Sequence, residues 1–140
     1  SVQEAELAMM RRFGAPEDVI LAAQSNLAIT YDALGRNEES LRLKQDVYSG
    51  RLKLNGKEHK ETLVAALNMT ASLFDLRRFE EVKSLFRGMI PVARRFLGEN
   101  DYITLVMRAN YAKVLYKDPN ATLDDLREAV TTLEETAPIA

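Results

Sequence analysis

The chain has 140 residues, 46% of them hydrophobic and 29% charged, which is typical of one helical globular domain with its own core. Nineteen Lys and Arg against 21 Asp and Glu give a net charge of −2, so no overall field favours nucleic acid or an anionic membrane. The absence of cysteine excludes disulfides, thiolate metal sites and cysteine nucleophiles, and it fits a reducing compartment, so we expect a cytoplasmic protein. The apolar runs are far shorter than the roughly 20 residues that cross a bilayer.

Apolar residues recur at helical spacing in seven segments that are separated by turn signals. The pattern predicts helices at residues 2–12, 17–34, 37–54, 59–76, 79–96, 101–117 and 123–137. Pro91 lies inside the fifth helix and is expected to bend it, because proline removes one backbone hydrogen bond. Pro119 is expected to stop the sixth helix, and Thr122 or Asp124 to cap the seventh. The sequence therefore predicts an all-α chain.

An internal repeat of 42 residues is the strongest feature of the sequence. Three residue types recur in one phase: Gly14, Gly56 and Gly98; Leu21, Leu63 and Leu105; and Asn26, Asn68 and Asn110. Each period holds two predicted helices joined by a tight turn, LGRN in the first copy and LRRF in the second. The repeated glycines then act as helix stops, since no glycine-rich phosphate loop ending in Gly-Lys-Ser/Thr is present.

The predicted organisation is a single domain, residues 1–140, built from hairpins. A trailing helix at 1–14 precedes repeats at 15–56, 57–98 and 99–140.

The segment NLAITYDALGRNEESL, from Asn26 to Leu41, carries a family resemblance. The pattern L-G-x-x-H/D, then T-L-x-x-x-x-N-h-A with h apolar, then G-R-x-E-E, resembles the tetratricopeptide repeat in the long form found in kinesin light chains. The resemblance implies an α-solenoid, a right-handed stack of antiparallel helix hairpins, whose first helices line a concave groove. It also implies buried positions, which are close-packed at Ala28, Thr70 and Ala112 and apolar at Tyr31, Leu73 and Leu115. Gln24, Ala66 and Arg108 depart from the family pattern, so a looser core is expected around the first and third copies.

In this family the matching asparagines bind peptides, and the resemblance carries that role to Asn26, Asn68 and Asn110. An amide both donates and accepts hydrogen bonds, so a row of asparagines can bind the backbone of an extended peptide. The other residues predicted for the peptide site share the same helical faces: Ile29, Val64, Ala71, Val106, Lys113 and Lys117. The two lysines would favour an acidic residue or a terminal carboxylate. In the alternative interpretation, the asparagines cap or bridge neighbouring helices.

Chemistry-bearing residues are few. The paired carboxylates are adjacent in sequence, so on a helix they diverge by about 100° and cannot share a proton. His59 is the only histidine, and no cysteine or second histidine could complete a common zinc site or an acid/base dyad. The arginine pairs are dispersed and do not predict a nucleic-acid interface. We therefore expect no catalytic residue, no metal and no cofactor.

Three functions remain open at this stage. The favoured one is a non-catalytic protein–protein interaction scaffold that binds an extended peptide or partner segment in the groove. The alternative is a structural module that self-associates through uncapped terminal helices, because Leu126, Val130 and Leu133 should be partly exposed on the last helix. The third is an enzyme, for which no convergent nucleophile, base and oxyanion donor can be assembled.

Overall fold

A computed structural model describes residues 1–137, and helices account for most of this range. The helices are α1 (Val2–Arg12), α2 (Glu17–Ala33), α3 (Asn37–Asn55), α4 (Lys60–Asp75), α5 (Phe79–Phe96), α6 (Tyr102–Lys117) and α7 (Leu123–Thr136). Each boundary falls within one residue of the predicted one, and residues 1–137 contain no strand. The predicted all-α class is confirmed. Residues 138–140, which end the predicted third repeat, lie outside the described range. None of the seven helices combines the length and apolar character needed to span a membrane.

The helices pack in chain order as a stack of hairpins. Helix α2 packs on α3, α4 on α5, and α6 on α7. Successive hairpins meet through α3 against α4 and α5 against α6, while α1 packs on α2. The first helices α4 and α6 also touch each other. This is the helical solenoid that the repeat predicts.

The turns inside the first two hairpins have the same backbone geometry in spite of different residues. Gly35 lies in the turn after α2 and has a φ of 74°, and Arg77 occupies the equivalent position after α4 with a φ of 60°. In the second turn the N–H of Arg78 donates to the carbonyl of Leu73 at 2.9 Å, which closes the helix end. Arg77 is the only non-glycine residue with positive φ between residues 1 and 137. The prediction of a tight turn in both copies is confirmed.

Other helix ends also follow the sequence. The three repeated glycines have positive φ and follow the second helices: Gly14, Gly56 and Gly98. Thr122, rather than Asp124, caps α7, since its hydroxyl accepts the N–H of Asp125 while the Asp125 carboxylate accepts the N–H of Thr122. Helix α5 continues through Pro91 to Phe96.

The core is large in the middle of the stack and small at its start. The main cluster spans α3 to α7 and includes the fully buried Phe86, Met107 and Leu115. A smaller cluster holds Leu7 against Leu27 of α2. All six positions that the resemblance assigns to close packing or core are buried: Ala28, Tyr31, Thr70, Leu73, Ala112 and Leu115.

The three departures from the family pattern are buried as well. In the third hairpin the guanidinium of Arg108 pairs with Glu135, and its other amino group lies 3.7 Å from Glu99. A cavity of about 550 Å³ opens at the surface beside Arg108 and Tyr111. The looser core expected around the first and third copies stays a prediction.

Candidate functional site

The three repeated asparagines occupy the same position on α2, α4 and α6. The two residues that follow each asparagine are buried, for example Leu27 and Ala28 after Asn26, so each amide projects away from the core. All three asparagines are exposed. We call the surface of α2, α4 and α6 that carries Asn26, Asn68 and Asn110 the asparagine face.

None of the three amides forms a hydrogen bond within residues 1–137. Among these three residues, only the backbone carbonyl of Asn26 takes part in a side-chain hydrogen bond of the described residues. It accepts from the hydroxyl group of Thr30 at 3.3 Å. Nothing in the described residues therefore supports the alternative in which the asparagines cap or bridge helices. Their donors and acceptors face solvent.

A cavity of about 180 Å³ lies between α2 and α4, with α3 as its floor. We call it the α2–α4 cavity. Ile29 and Asp32 of α2 stand opposite Asn68 of α4, and Lys44 of α3 lies on the floor. Ile29 is 63% exposed and offers an apolar surface beside the cavity.

A second cavity of about 170 Å³ lies between α4 and α6, with α5 as its floor. We call it the α4–α6 cavity. Ala71 and Phe74 of α4 stand opposite Asn110 of α6, and the Phe86 ring of α5 forms an apolar floor. The ammonium nitrogen of Lys113 is 4.9 Å from the centroid of the Phe74 ring. A cation over an aromatic face is attracted by the ring quadrupole.

The two cavities are equivalent places in successive repeats. Asn68 and Asn110 differ by one period of 42 residues, and so do Ile29 and Ala71. Five of the predicted site residues therefore line the two cavities. Ile29 and Asn68 line the α2–α4 cavity, and Ala71, Asn110 and Lys113 line the α4–α6 cavity.

The remaining predicted site residues line neither cavity: Asn26, Val64, Val106 and Lys117. Asn26 is exposed at the start of the asparagine face, and Val64 and Val106 are half-buried. The ammonium nitrogen of Lys117 lies 5.8 Å from the ring centroid of its neighbour Tyr116. These four residues therefore flank the cavities.

Sequence reasoning missed a buried polar group on the floor of the α2–α4 cavity. The ammonium group of Lys44 donates to Asp32 Oδ2 at 2.7 Å and to Ser72 Oγ at 2.8 Å. Lys44 is nine-tenths buried. One signal was present in the sequence, because Lys44 stands at the same spacing as the buried Leu41 and Val47 of α3.

A larger cavity, the one of about 550 Å³, lies between α5, α6 and α7, away from the asparagine face. The Nε–H of Arg87 donates to the Tyr111 hydroxyl at 3.1 Å, and this hydroxyl donates to Glu128 at 2.9 Å. Burial raises the pKa of Tyr111; the Arg87 contact opposes this shift and the Glu128 contact adds to it. The polar groups of this cavity thus mostly satisfy one another.

His59 serves the architecture. Its Nδ1 accepts the backbone N–H of Glu61 at 3.1 Å and so caps α4. The prediction that His59 begins a helix is confirmed, and its capping role was not foreseen because histidine is an uncommon cap.

Comparison with known proteins agrees with this architecture. The tetratricopeptide repeat model matches residues 20–61, a stretch as long as the predicted period. No curated protein is significantly similar in sequence.

Two solved structures share the fold. One is a Podosopora anserina chain described as a kinesin light chain with nearly identical TPR-like repeats, at 20% identity and a TM-score of 0.80, covering 98% of this chain and 63% of that one. The other is BtubC (BKLC) from P. vanneervenii, at 18% identity and a TM-score of 0.75, covering 89% of this chain and 47% of that one. This chain thus spans between about half and two thirds of their lengths. The predicted resemblance to kinesin light chain-like tetratricopeptide repeats is confirmed at the level of the fold.

Proposed function

We propose that this chain is a non-catalytic protein–protein interaction scaffold that binds an extended peptide along the asparagine face. One observation carries the proposal. Three amides at the same position of successive first helices are exposed without hydrogen bonds in the described range, and two side-chain-sized cavities lie between them. The single-domain plan with repeats at 15–56, 57–98 and 99–140 belongs to the same proposal.

The spacing of the amides suits an extended backbone. Packed helices lie about 8–10 Å apart, and an extended chain advances about 3.3 Å per residue. Helices α4 and α6 touch each other, so Asn68 and Asn110 would address peptide groups about three residues apart. Each amide offers one acceptor and two donors, so it can pair with a peptide N–H and a peptide C=O at once.

The cavities supply side-chain selectivity. Each has room for about one side chain. The α4–α6 cavity, with Phe86 below and Ala71 and Phe74 on its α4 wall, suits an apolar side chain. Lys113 at its rim and Lys117 one turn further along α6 suit an acidic neighbour or a terminal carboxylate, although each exposed charge contributes only about 0–1 kcal/mol.

The supporting residues have simpler roles. Ile29 offers apolar contact at the α2 wall, and Val64 and Val106 pack beneath the face. His59, the only histidine of the sequence, caps α4 through its Nδ1. Tetratricopeptide repeat folds typically serve as interaction scaffolds, which agrees with this proposal.

A peptide-display selection tests this function. A random library of 12-residue peptides would be selected against the wild-type chain and against the variant Asn26→Ala, Asn68→Ala, Asn110→Ala. The matched control is Asn37→Ala, Asn100→Ala, Asn120→Ala, which removes three amides away from the face. Circular dichroism verifies that all three proteins keep their helices.

We expect enriched peptides to lose at least tenfold in affinity for the face variant and little for the control, because each amide contributes about 0.5–1.5 kcal/mol. Enrichment that is equal on all three proteins would reject the proposal.

A second candidate, self-association through α7, is favoured by a separate observation. Four large apolar side chains form an exposed stripe on this helix: Leu123 at 62%, Leu126 at 40%, Val130 at 54% and Leu133 at 41%. Their spacing of three and four residues puts them on one helical face.

The equivalent face of α5 is covered within this chain. On α5, the Phe86 ring packs near the Tyr111 ring of α6, and Lys83 pairs with Asp118, which follows α6. Lys83 and Ile90 are buried against the next hairpin. By analogy, the α7 stripe would be covered either by further repeats or by another molecule, and the second candidate function takes that molecule to be a second copy of the chain.

Light scattering at increasing protein concentration measures this association. The mass of the wild-type chain should rise with concentration, and that of Leu126→Gln, Leu133→Gln should stay at the monomer value. A monomeric wild-type chain at all concentrations would reject the second candidate and leave the first unaffected.

A further inference from the structure

The two cavities of the asparagine face are equivalent in position and differ in chemistry at two lining positions. Asp32 in the α2–α4 cavity stands one period before Phe74 in the α4–α6 cavity, and Lys44 stands one period before Phe86. An ion pair thus replaces two aromatic rings. One wall of each cavity, by contrast, keeps the asparagine, Asn68 in one and Asn110 in the other. The bound segment must meet different chemistry at two successive positions.

The ion pair is incompletely satisfied. Lys44 binds Asp32 Oδ2 and Ser72 Oγ, so its ammonium group has two partners. Asp32 Oδ1 is buried and has no hydrogen-bond partner within residues 1–137. The Asp32 side chain as a whole is 33% exposed, so the carboxylate can turn an oxygen toward the cavity. A buried acceptor without a donor is unfavourable, and a carboxylate oxygen more so than a neutral one.

The charge around Asp32 decides which donor fits. The ammonium group of Lys44 lies 2.7 Å from the Asp32 carboxylate and already neutralises its charge. A lysine or arginine of the ligand would share this carboxylate with Lys44 and would be repelled by the Lys44 ammonium group. A neutral hydroxyl or carboxamide meets no such repulsion. It would donate to Asp32, and its aliphatic part would contact Ile29 on the same wall. The volume of about 180 Å³ admits one such side chain.

We propose that the α2–α4 cavity takes a neutral hydrogen-bond-donor side chain of the bound peptide, Ser, Thr, Asn or Gln, and that Asp32 selects it. The inference rests on the proposed peptide-binding function and names the ligand chemistry at one of its two positions. An ordered water is the competing occupant, since it would satisfy Asp32 equally well.

The test uses peptides from the selection described above. One peptide carrying Ser, Thr, Asn or Gln at the position of the α2–α4 cavity is synthesised together with its Ala analogue. Both are titrated by calorimetry against the wild-type chain and against Asp32→Leu, Lys44→Met. This double variant removes the pair together, which is often neutral for stability, whereas removing one partner leaves a buried charge. The control Arg78→Gln, Glu81→Gln removes an exposed ion pair at the start of α5.

We expect the Ala analogue to bind the wild-type and control chains about tenfold more weakly than the parent peptide, as for one hydrogen bond to a charged acceptor. On the double variant the two peptides should bind within a factor of about two, while both still bind. A selection that enriches donors and apolar residues equally at this position, or an Ala analogue that binds as tightly as its parent, would assign the cavity to water and overturn the inference with peptide binding intact. A wild-type chain that enriches no peptide would overturn the proposed function, and this inference with it.

Discussion

The carboxylate of Asp118 lies 2.7 Å from the ammonium group of Lys83, and both side chains are at least 95% buried. Lys83 is on α5, whereas Asp118 begins the long turn between α6 and α7. Asp118 also accepts the backbone N–H of Asn120 at 2.9 Å, so this one carboxylate joins the second hairpin to the turn of the third. The extra length of the KDPNATLDD turn is therefore held by a specific buried contact.

Removing Asp118 should destabilise the fold much more than removing the other partner of Lys83. Asp118→Ala leaves a buried ammonium group with an exposed carboxylate only, which typically costs about 3–5 kcal/mol. Glu80→Ala removes that exposed partner, 3.0 Å from Lys83, and should cost less than about 1 kcal/mol. Urea unfolding of both variants measures the difference. Equal losses in the free energy of unfolding would mean that the buried Lys83–Asp118 pair stabilises the fold no more than the exposed Lys83–Glu80 pair.

The same pair predicts a pH dependence. The hydrogen bond from Lys83, followed by that from the Asn120 N–H, lowers the pKa of Asp118 below its usual 3.8. A lowered folded-state pKa adds stability that is present above pH 3.8 and is lost as the pH falls through the folded-state value. Between pH 6 and pH 3, the free energy of unfolding should therefore decrease more for the wild-type chain than for the double variant Lys83→Met, Asp118→Asn. Equal decreases for the two proteins would mean that protonation of other carboxylates causes the loss of stability at low pH.

Two buried threonines offer a matched comparison of a satisfied and an unsatisfied hydroxyl. Thr62 and Thr104 are one period apart, and both are at least 98% buried. The Thr62 hydroxyl donates to the carbonyl of Arg51 at 3.3 Å, while that of Thr104 has no partner within residues 1–137. Thr62→Val should cost about 1 kcal/mol, whereas Thr104→Val should be neutral or stabilising. Thermal unfolding distinguishes them, and a clear loss in Thr104→Val would reveal a partner for that hydroxyl.

The turn residues predict another pair of opposite effects. Arg77 adopts a left-handed conformation that costs an L-residue about 1 kcal/mol or more, whereas Gly35 adopts it freely. Arg77→Gly should therefore stabilise the chain by about 0.5–1 kcal/mol. The loss of the contact between the Arg77 guanidinium and the Phe79 ring reduces this gain. Gly35→Ala should destabilise the chain by a similar amount. Chemical denaturation measures both changes, and a loss in Arg77→Gly would show that the ring contact dominates.

The helices and their turns could be predicted from local sequence, because period and punctuation are local properties. The stripe of Val82, Phe86, Met89 and Ala93 predicts α5, and LGRN predicts the turn that Gly35 makes. The partial exposure of Leu126 on α7 was also predicted, and this residue is 40% exposed in the structure.

The polar interior could not be predicted in the same way. Lys44 and Lys83 read as surface residues, because lysine is rarely buried without a partner. Their partners Asp32 and Asp118 lie 12 and 35 residues away, and only the fold brings them together. The difference between the two cavities of the asparagine face follows from the Lys44 pair, so sequence reasoning found the amides but not the chemistry between them.

The most direct test of peptide binding on the asparagine face is nuclear magnetic resonance with the 15N-labelled chain. A selected peptide is added stepwise while the side-chain amide signals of Asn26, Asn68 and Asn110 are followed. We expect these three signals to shift together and to saturate at one peptide per chain, with the amides of Asn37, Asn100 and Asn120 unchanged. Shifts confined to α7, or to the large cavity between α5, α6 and α7, would contradict binding on this face.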